Sequence, residues 1–253
     1  MQYRYWGRAA LAFGRHARRK PFLKQVAEMG LVADVTGKAP SRHVLDVYPD
    51  IVGVTVSMGD VTYKVWNMDP MERFCLAAIA KLVQPERIFE FGTFDGATTL
   101  LLARSVPSAQ VFTLDLPPED YIAPEAVGFP RSPGEYETPH DEVGHQFRGT
   151  PEAERITQLL GDSRTFDFTE FVGRIGLVVV DAGHGYEAAS ADSENALRLA
   201  GPSGVVVWDD YIPQWPGVIQ AVNESAARHD FSVIRLRGTG FAVRDPSRRL
   251  STT

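Results

Sequence analysis

The sequence predicts an α/β protein: a doubly wound, mostly parallel sheet of seven strands, with a C-terminal antiparallel hairpin and an N-terminal extension of helix and β-hairpin. Three observations carry this. From Arg87 onward, short apolar strands alternate with helical stretches. The first of these strands lies in Arg87 to Gly96 (RIFEFGTFDG) and runs into a glycine turn that opens a helix. Four successive strands end in acid, at Asp115, Asp162, Asp181 and Asp209-Asp210. In open α/β sheets, ligands bind beyond the C-terminal ends of the strands.

Taken in order, residues 1–40 read as helix and loop. Seven basic residues precede the first acid, Glu28, and Trp6, Ala10, Phe13 and Ala17 fall at helical spacing. A basic amphipathic helix can lie on a membrane surface; the favoured reading is a helix packed on the main domain or on a second subunit. Residues 51–66 alternate around Met58-Gly59-Asp60 and predict a β-hairpin. Asp69-Pro70 reads as an N-cap and first helical position for a helix over 71–83, whose Phe74, Leu76, Ile79, Ala80 and Val83 form an apolar stripe. Residues 1–68 thus form an extension, residues 69–245 the main domain and 246–253 a tail.

Within the main domain, strands are predicted at 87–92, 110–115, 155–161, 175–181 and 204–210, with a closing hairpin of 231–236 and 239–244. Helices are predicted at 96–105, 164–172, 186–200 and 217–229. The run IGLVVVD is continuously apolar, as suits a central parallel strand. Residues 117–150 are a Pro- and Gly-rich insertion carrying Tyr121, Phe129, Tyr136, His140, His145 and Phe147. A loop of this length inside a compact domain suits a lid or substrate contact.

Composition narrows the function. The formal net charge of -6 argues against nucleic-acid binding, which needs a basic face. The single cysteine, Cys75, sits in an apolar run and forms no intrachain disulfide framework, so the expectation is a core residue in a cytoplasmic protein. No stretch is long and apolar enough to span a membrane.

The turn departs from a dinucleotide fingerprint. It gives Gly92-Thr93-Phe94-Asp95-Gly96, not G-x-G-x-x-G. A pyrophosphate needs bare backbone amides, and here Glu90 and Asp95 would repel it. Those acids suit a cationic ligand, which points to S-adenosylmethionine with its sulfonium and ammonium. Asp115, about twenty residues past the turn, lies where a ribose-binding acid belongs. A nicotinamide-dependent oxidoreductase is the alternative on a similar sheet.

EFGTFDG, then VFTLD, GDS, VVVDAGH and VVWDDY, together resemble the class I S-adenosylmethionine-dependent methyltransferases over residues 69–245. The likeness is greatest to the metal-dependent O-methyltransferases of sugars and natural products, of the macrocin and mycinamicin type. The resemblance implies a Rossmann-like fold and a cofactor site of Glu90, Gly92, Thr93, Phe94, Asp95, Gly96, Thr98, Asp115, Leu116, Asp162, Ser163 and Asp181. Asp115 would bind the ribose, and Asp162 with Ser163 would lie near the adenine. It also implies a divalent cation held by Asp181, Asp209 and Asp210. Adjacent parallel strands lie about 4.8 Å apart, so carboxylates at neighbouring ends can meet at one ion, and oxygen ligands favour Mg²⁺ or Mn²⁺. His184, three residues past Asp181, is the expected general base. The implied acceptor is a hydroxyl of a sugar or polyhydroxylated small molecule, and the implied assembly a homodimer. A metal-independent methyltransferase, in which the acids only position substrate, is the further alternative.

Overall fold

The computed structural model describes residues 39–58, 67–117 and 143–248. All of them belong to one compact unit, Lys38–Thr253. The predicted N-terminal helix, the second arm of the 51–66 hairpin and most of the insertion lie outside the described residues.

The chain enters through a three-residue strand, β1 (Ser41–His43), a single helical turn, α1 (Val44–Val47), and a 3₁₀ turn over Pro49–Gly53. Residues 51–58 form no strand, so the first arm of the expected hairpin is absent. The reason is local: Pro49 starts the 3₁₀ turn and Ile51 is buried within it. Tyr48 is fully buried beside it, and its hydroxyl donates to Asp245 Oδ2 at 3.0 Å.

Helix α2 (Pro70–Val83) begins as its sequence predicts. Asp69 caps it, accepting from Met71 N and Glu72 N at 2.7 and 2.9 Å, while Glu72 Oε2 accepts from Asp69 N at 3.1 Å. It ends at Gln84 in the left-handed region, just before Pro85. Its buried face carries Cys75, Leu76, Ile79 and Ala80. Burial pushes the Cys75 thiol up to about 11, which keeps it an inert core group.

The sheet then builds through β2 (Arg87–Phe91), α3 (Ala97–Ser105), β3 (Gln110–Asp115), β4 (Ile156–Leu160) and β5 (Leu177–Val180). It continues with α4 (Tyr186–Ala200), β6 (Val205–Trp208), α5 (Pro216–Arg228), β7 (Ile234–Arg237) and β8 (Ala242–Arg244). The strand order is β1-β7-β8-β6-β5-β2-β3-β4. Only β8 runs antiparallel to its neighbours, β6 and β7. The described sheet therefore has eight strands where seven were predicted. The extra one, β1, pairs in parallel with β7 at the edge. Its Ser-Arg-His sequence lacks the apolar alternation that marks a strand.

Strands β2, β5 and β6 are buried along almost their whole length. Phe89 and Phe91 pack against Phe168 and Phe171 on one face. That aromatic cluster explains a second difference. The helix predicted over 164–172 is a series of turns. Asp167 accepts from Thr169 N at 2.9 Å, a local bond that competes with helix formation, and Phe168 and Phe171 are turned into the core.

After β2 the chain moves to β3 and β4 on one side of the sheet, and then to β5 and β6 on the other. The reversal falls between β2 and β5. At such a switch point the loops leaving neighbouring strands diverge and open a crevice.

Candidate active site

The glycine turn leaves β2 at this switch point. Gly92 has φ +92° and Gly96 φ +86°, conformations that L side chains rarely adopt. Phe94 lies between them at φ +46°. A Cβ on Gly92 would stand 1.9 Å from the carbonyl oxygen of Asp181, so the turn and the end of β5 touch backbone to backbone.

Below the turn, Glu90 is fully buried in β2. Its Oε2 accepts from Thr99 and from Thr113, the latter at 2.7 Å, and Thr113 is in turn bonded to Thr93 at 2.7 Å. Its Oε1 has no partner among the described residues. Burial, partly offset by the two threonines, pushes this carboxyl up to about 8. A buried acid with an unused acceptor fits the ammonium of a methionine-like ligand, which would complete the missing bond and favour the charged carboxylate.

Asp115, at the end of β3, holds the turn from the side. Its Oδ2 accepts from Thr93 N and Phe94 N at 2.9 and 2.8 Å, and its Oδ1 from Leu116 N at 2.8 Å. Asp95 is buried and acts as a structural clamp. It accepts from Ala97 N at 3.0 Å, Asn67 Nδ2 at 3.1 Å and Gln146 Nε2 at 3.4 Å. Thr98 is half-buried in the first turn of α3. The described end of the insertion packs on this turn: Gly144 N and Gln146 N donate to the carbonyls of Phe94 and Asp95, and the buried Phe147 ring fills the space a Cβ on Gly96 would need.

Asp162 and Ser163 follow β4, next to Asp115, whose carbonyl accepts from Gly161 N at 2.9 Å. Both already have side-chain partners. Asp162 is bonded to Arg164, whose guanidinium holds its carboxyl below the usual range. Ser163 bonds the buried Asp192 of α4, which burial pushes up to about 6, and the Ser163 carbonyl accepts from Asn195.

The second half of the site is acidic. Asp181 after β5 and Asp210 after β6 meet His184: one ligand atom from each lies within 4.8 Å of the others. His184 Nε2 is 2.7 Å from Asp210 Oδ2. Burial raises Asp181 to about 7, with the neighbouring Asp210 adding to the effect and His184 opposing it. Burial pulls His184 down, but the hydrogen bond and charge of Asp210 outweigh it and leave the imidazole above its ordinary value. Asp209 stands apart from this group of three. Its Oδ1 accepts from Asp210 N at 2.7 Å, and burial lifts its carboxyl well above the usual range. Of the three acids expected to hold a metal, the structure brings Asp181 and Asp210 together and adds His184. The two carboxylates are the hard oxygen donors that Mg²⁺ or Mn²⁺ would take, and His184 stands beside them.

Several residues of the site carried no sequence signal. Glu72, in the first turn of α2, joins the acids: its Oε1 accepts from Gly240 N at 2.6 Å, and Glu72 and Asp209 both flank Gly240. Thr99 and Thr113 act on Glu90 from another helix and strand. Trp215 stacks on His184, with ring centroids 4.1 Å apart and planes 18° from parallel. The period of α2 and α3 marked which residues face the core, but gave no hint of polar contacts made across the fold.

Residues 89–211 match the family model of a methyltransferase domain. No curated protein matches the chain by sequence. Solved structures share its fold. Cofactor-bound Rv0187 from MTB is 20% identical with a TM-score of 0.52, over 79% of this chain and 86% of that one. The SAH-bound methyltransferase PaMTH1 of Podospora anserina is 13% identical with a TM-score of 0.52, over 88% and 94%. The O-methyltransferase NovP is 21% identical with a TM-score of 0.51, over 67% and 79%. The match to a methyltransferase domain over residues 89–211 thus falls on the glycine turn and the acidic strand ends, in a fold that solved methyltransferases share.

Proposed function

We propose that the protein is an S-adenosylmethionine-dependent O-methyltransferase acting on a hydroxyl of a sugar or polyhydroxylated natural product, with His184 as general base. One observation carries the reading. The glycine turn with its buried Glu90, and the Asp181–His184–Asp210 group, abut at the switch point through the Gly92–Asp181 contact. A ligand on the turn and an acceptor at the acids would then be neighbours. NovP, an O-methyltransferase of the same fold, supports the choice of oxygen as acceptor.

The chain's own residues divide the work. Glu90 receives the ammonium end of the ligand, Asp115 the ribose, and the 161–163 loop borders the adenine side. Bound S-adenosylmethionine would supply the electrophilic methyl group. A divalent cation, held by Asp181 and Asp210 with Asp209 behind them, would make an acceptor hydroxyl more acidic. His184, in the tautomer that donates from Nε2 to Asp210, has its other ring nitrogen left to take that proton. Asp210 fixes the ring and stabilises the imidazolium, as an acid does in a histidine dyad. Catalysis is then mainly positioning and charge stabilisation.

The His184–Asp210 pair at 2.7 Å also favours a second reading, metal-independent transfer, because such a dyad works without an ion. Methyl transfer from labelled S-adenosylmethionine to a panel of polyols and glycosides tests the function. His184→Ala should abolish turnover while cofactor binding persists, and near-normal turnover would remove His184 as base. Full activity after exhaustive chelation would decide for the metal-independent route. A homodimer belongs to the same proposal, and sedimentation analysis of the full chain checks it.

A further inference from the structure

We infer that Trp215, carried just ahead of Gly217, is a positioning residue that sets the plane of the His184 imidazole. The inference rests on the proposed role of His184 as base and extends it to residues outside the acid cluster.

His184 sits on the segment between β5 and α4, and about a third of its side chain is exposed. Nothing in that segment's own backbone fixes the ring: Gly183 and Gly185 flank it, and Gly185, the N-cap of α4, offers no side-chain cap. One edge is held by Asp210. A single hydrogen bond leaves the imidazole free to rotate about the line joining it to its partner. The stacked indole of Trp215 removes that freedom, because tilting the ring would break the face-to-face contact at 4.1 Å.

A second contact places the indole. Gly217, in the first turn of α5, lies so close to the His184 segment that a Cβ there would meet His184 O at 2.8 Å and Tyr186 N at 2.7 Å. These are backbone atoms, which cannot swing aside. The first turn of α5 is thus docked on residues 184–186 through its bare glycine, and Trp215 just before it is carried over the ring. The half-buried indole also covers one face of the imidazole against water. Together Asp210 and Trp215 define two directions, and the remaining ring nitrogen is held in a fixed orientation.

The test uses the full chain and reads the ring itself before activity. In the wild type, the carbon-bound ring protons of His184, assigned by their loss in His184→Ala, should appear upfield-shifted by the indole current. Trp215→Leu should return them to ordinary positions, while Trp215→Phe retains part of the shift. Turnover should fall by up to about 10²-fold in Trp215→Leu, the scale of a misplaced catalytic group, with KM for S-adenosylmethionine unchanged and partial recovery in Trp215→Phe. Gly217→Ala should give the same kinetic pattern with the indole still present. Thermal unfolding near that of the wild type shows that the variants fold. Unshifted His184 protons in the wild type, or Trp215→Leu with full turnover while His184→Ala is dead, would overturn the positioning role and leave the base intact. Full turnover in His184→Ala would overturn the base itself.

Discussion

The contact between Gly92 and Asp181 joins the two halves of the site, and Gly92→Ala tests it directly. The new methyl would begin 1.9 Å from a main-chain oxygen, where ordinary contact starts at 3.4 Å, so turn and strand end must part by about 1.5 Å. Neither side yields easily, because β2 and β5 are paired along their length and Asp181 N donates to Phe91 O at 2.9 Å. The left-handed backbone adds about 1–2 kcal/mol for a residue with a Cβ. Overpacking a filled site adds about 1–3 kcal/mol. The sum is about 2–5 kcal/mol, and at roughly 2–4 °C per kcal/mol for a chain of this size the midpoint should drop by about 4–20 °C. If the turn retreats instead of the sheet, the same energy is lost from ligand binding, at tenfold per 1.4 kcal/mol. Thermal unfolding and calorimetric titration with S-adenosylmethionine must therefore account for the cost between them. A variant with wild-type midpoint and wild-type affinity would refute the close approach on which the site is built.

The remaining predictions concern the acids. Glu90 has a folded value near 8, raised from an ordinary 4.5, so its contribution to stability is full below about 4.5 and is lost as pH rises through 8. Urea unfolding should show the ligand-free wild type losing stability between about pH 4.5 and 8 relative to Glu90→Gln, and Glu90→Gln should bind S-adenosylmethionine more weakly; parallel pH curves would remove the buried-acid account. Asp210 carries φ +57° with a side chain, so Asp210→Gly should be about 1–2 kcal/mol more stable than Asp210→Ala in chemical unfolding, although both lose turnover. Saturating Mg²⁺ or Mn²⁺ should raise the unfolding midpoint of the wild type by mass action, about 2.7 kcal/mol at a hundredfold excess over Kd, and leave Asp181→Ala unmoved. An equal rise in both proteins would place the ion elsewhere.

Much of the fold is legible in local signals. Asp69-Pro70 spells out the start of α2, and IGLVVVD carries the unbroken apolar run of a central strand. Two local signals failed. Residues 51–58 alternate like a strand, but the proline-led turn over Pro49–Gly53 prevails and residues 54–58 form no strand. Residues 164–172 carry Phe168, Phe171 and Val172 at helical spacing, but the two phenylalanines join the cluster under β2 and the segment stays in turns. The acids at strand ends were legible because parallel strands deliver their C-terminal residues to one edge. Which acid turns toward which was not, because that depends on a dihedral angle.

Asp209 and Asp210 show how far that dihedral reaches. Adjacent residues leaving a strand in extended conformation point to opposite faces, so two neighbouring acids cannot both reach one point unless the backbone turns between them. Here it does. Asp210 adopts the left-handed region, its amide is held by Asp209 Oδ1 at 2.7 Å, and Ile212 N closes a tight turn on its carbonyl at 2.7 Å. Tyr211 N, bonded to Gly240 O at 2.8 Å, fixes the exit of that turn to the β7–β8 connection, where Glu72 is also attached. The strain at Asp210 is thereby held in place from three sides, and its result is a carboxylate against His184. In this arrangement Asp209 acts first as the clamp that lets Asp210 turn. The pair therefore behaves as one device: Asp209→Ala should loosen the turn that aims Asp210 at His184 and lower turnover, though less than Asp210→Ala does, and wild-type turnover in Asp209→Ala would refute the clamp.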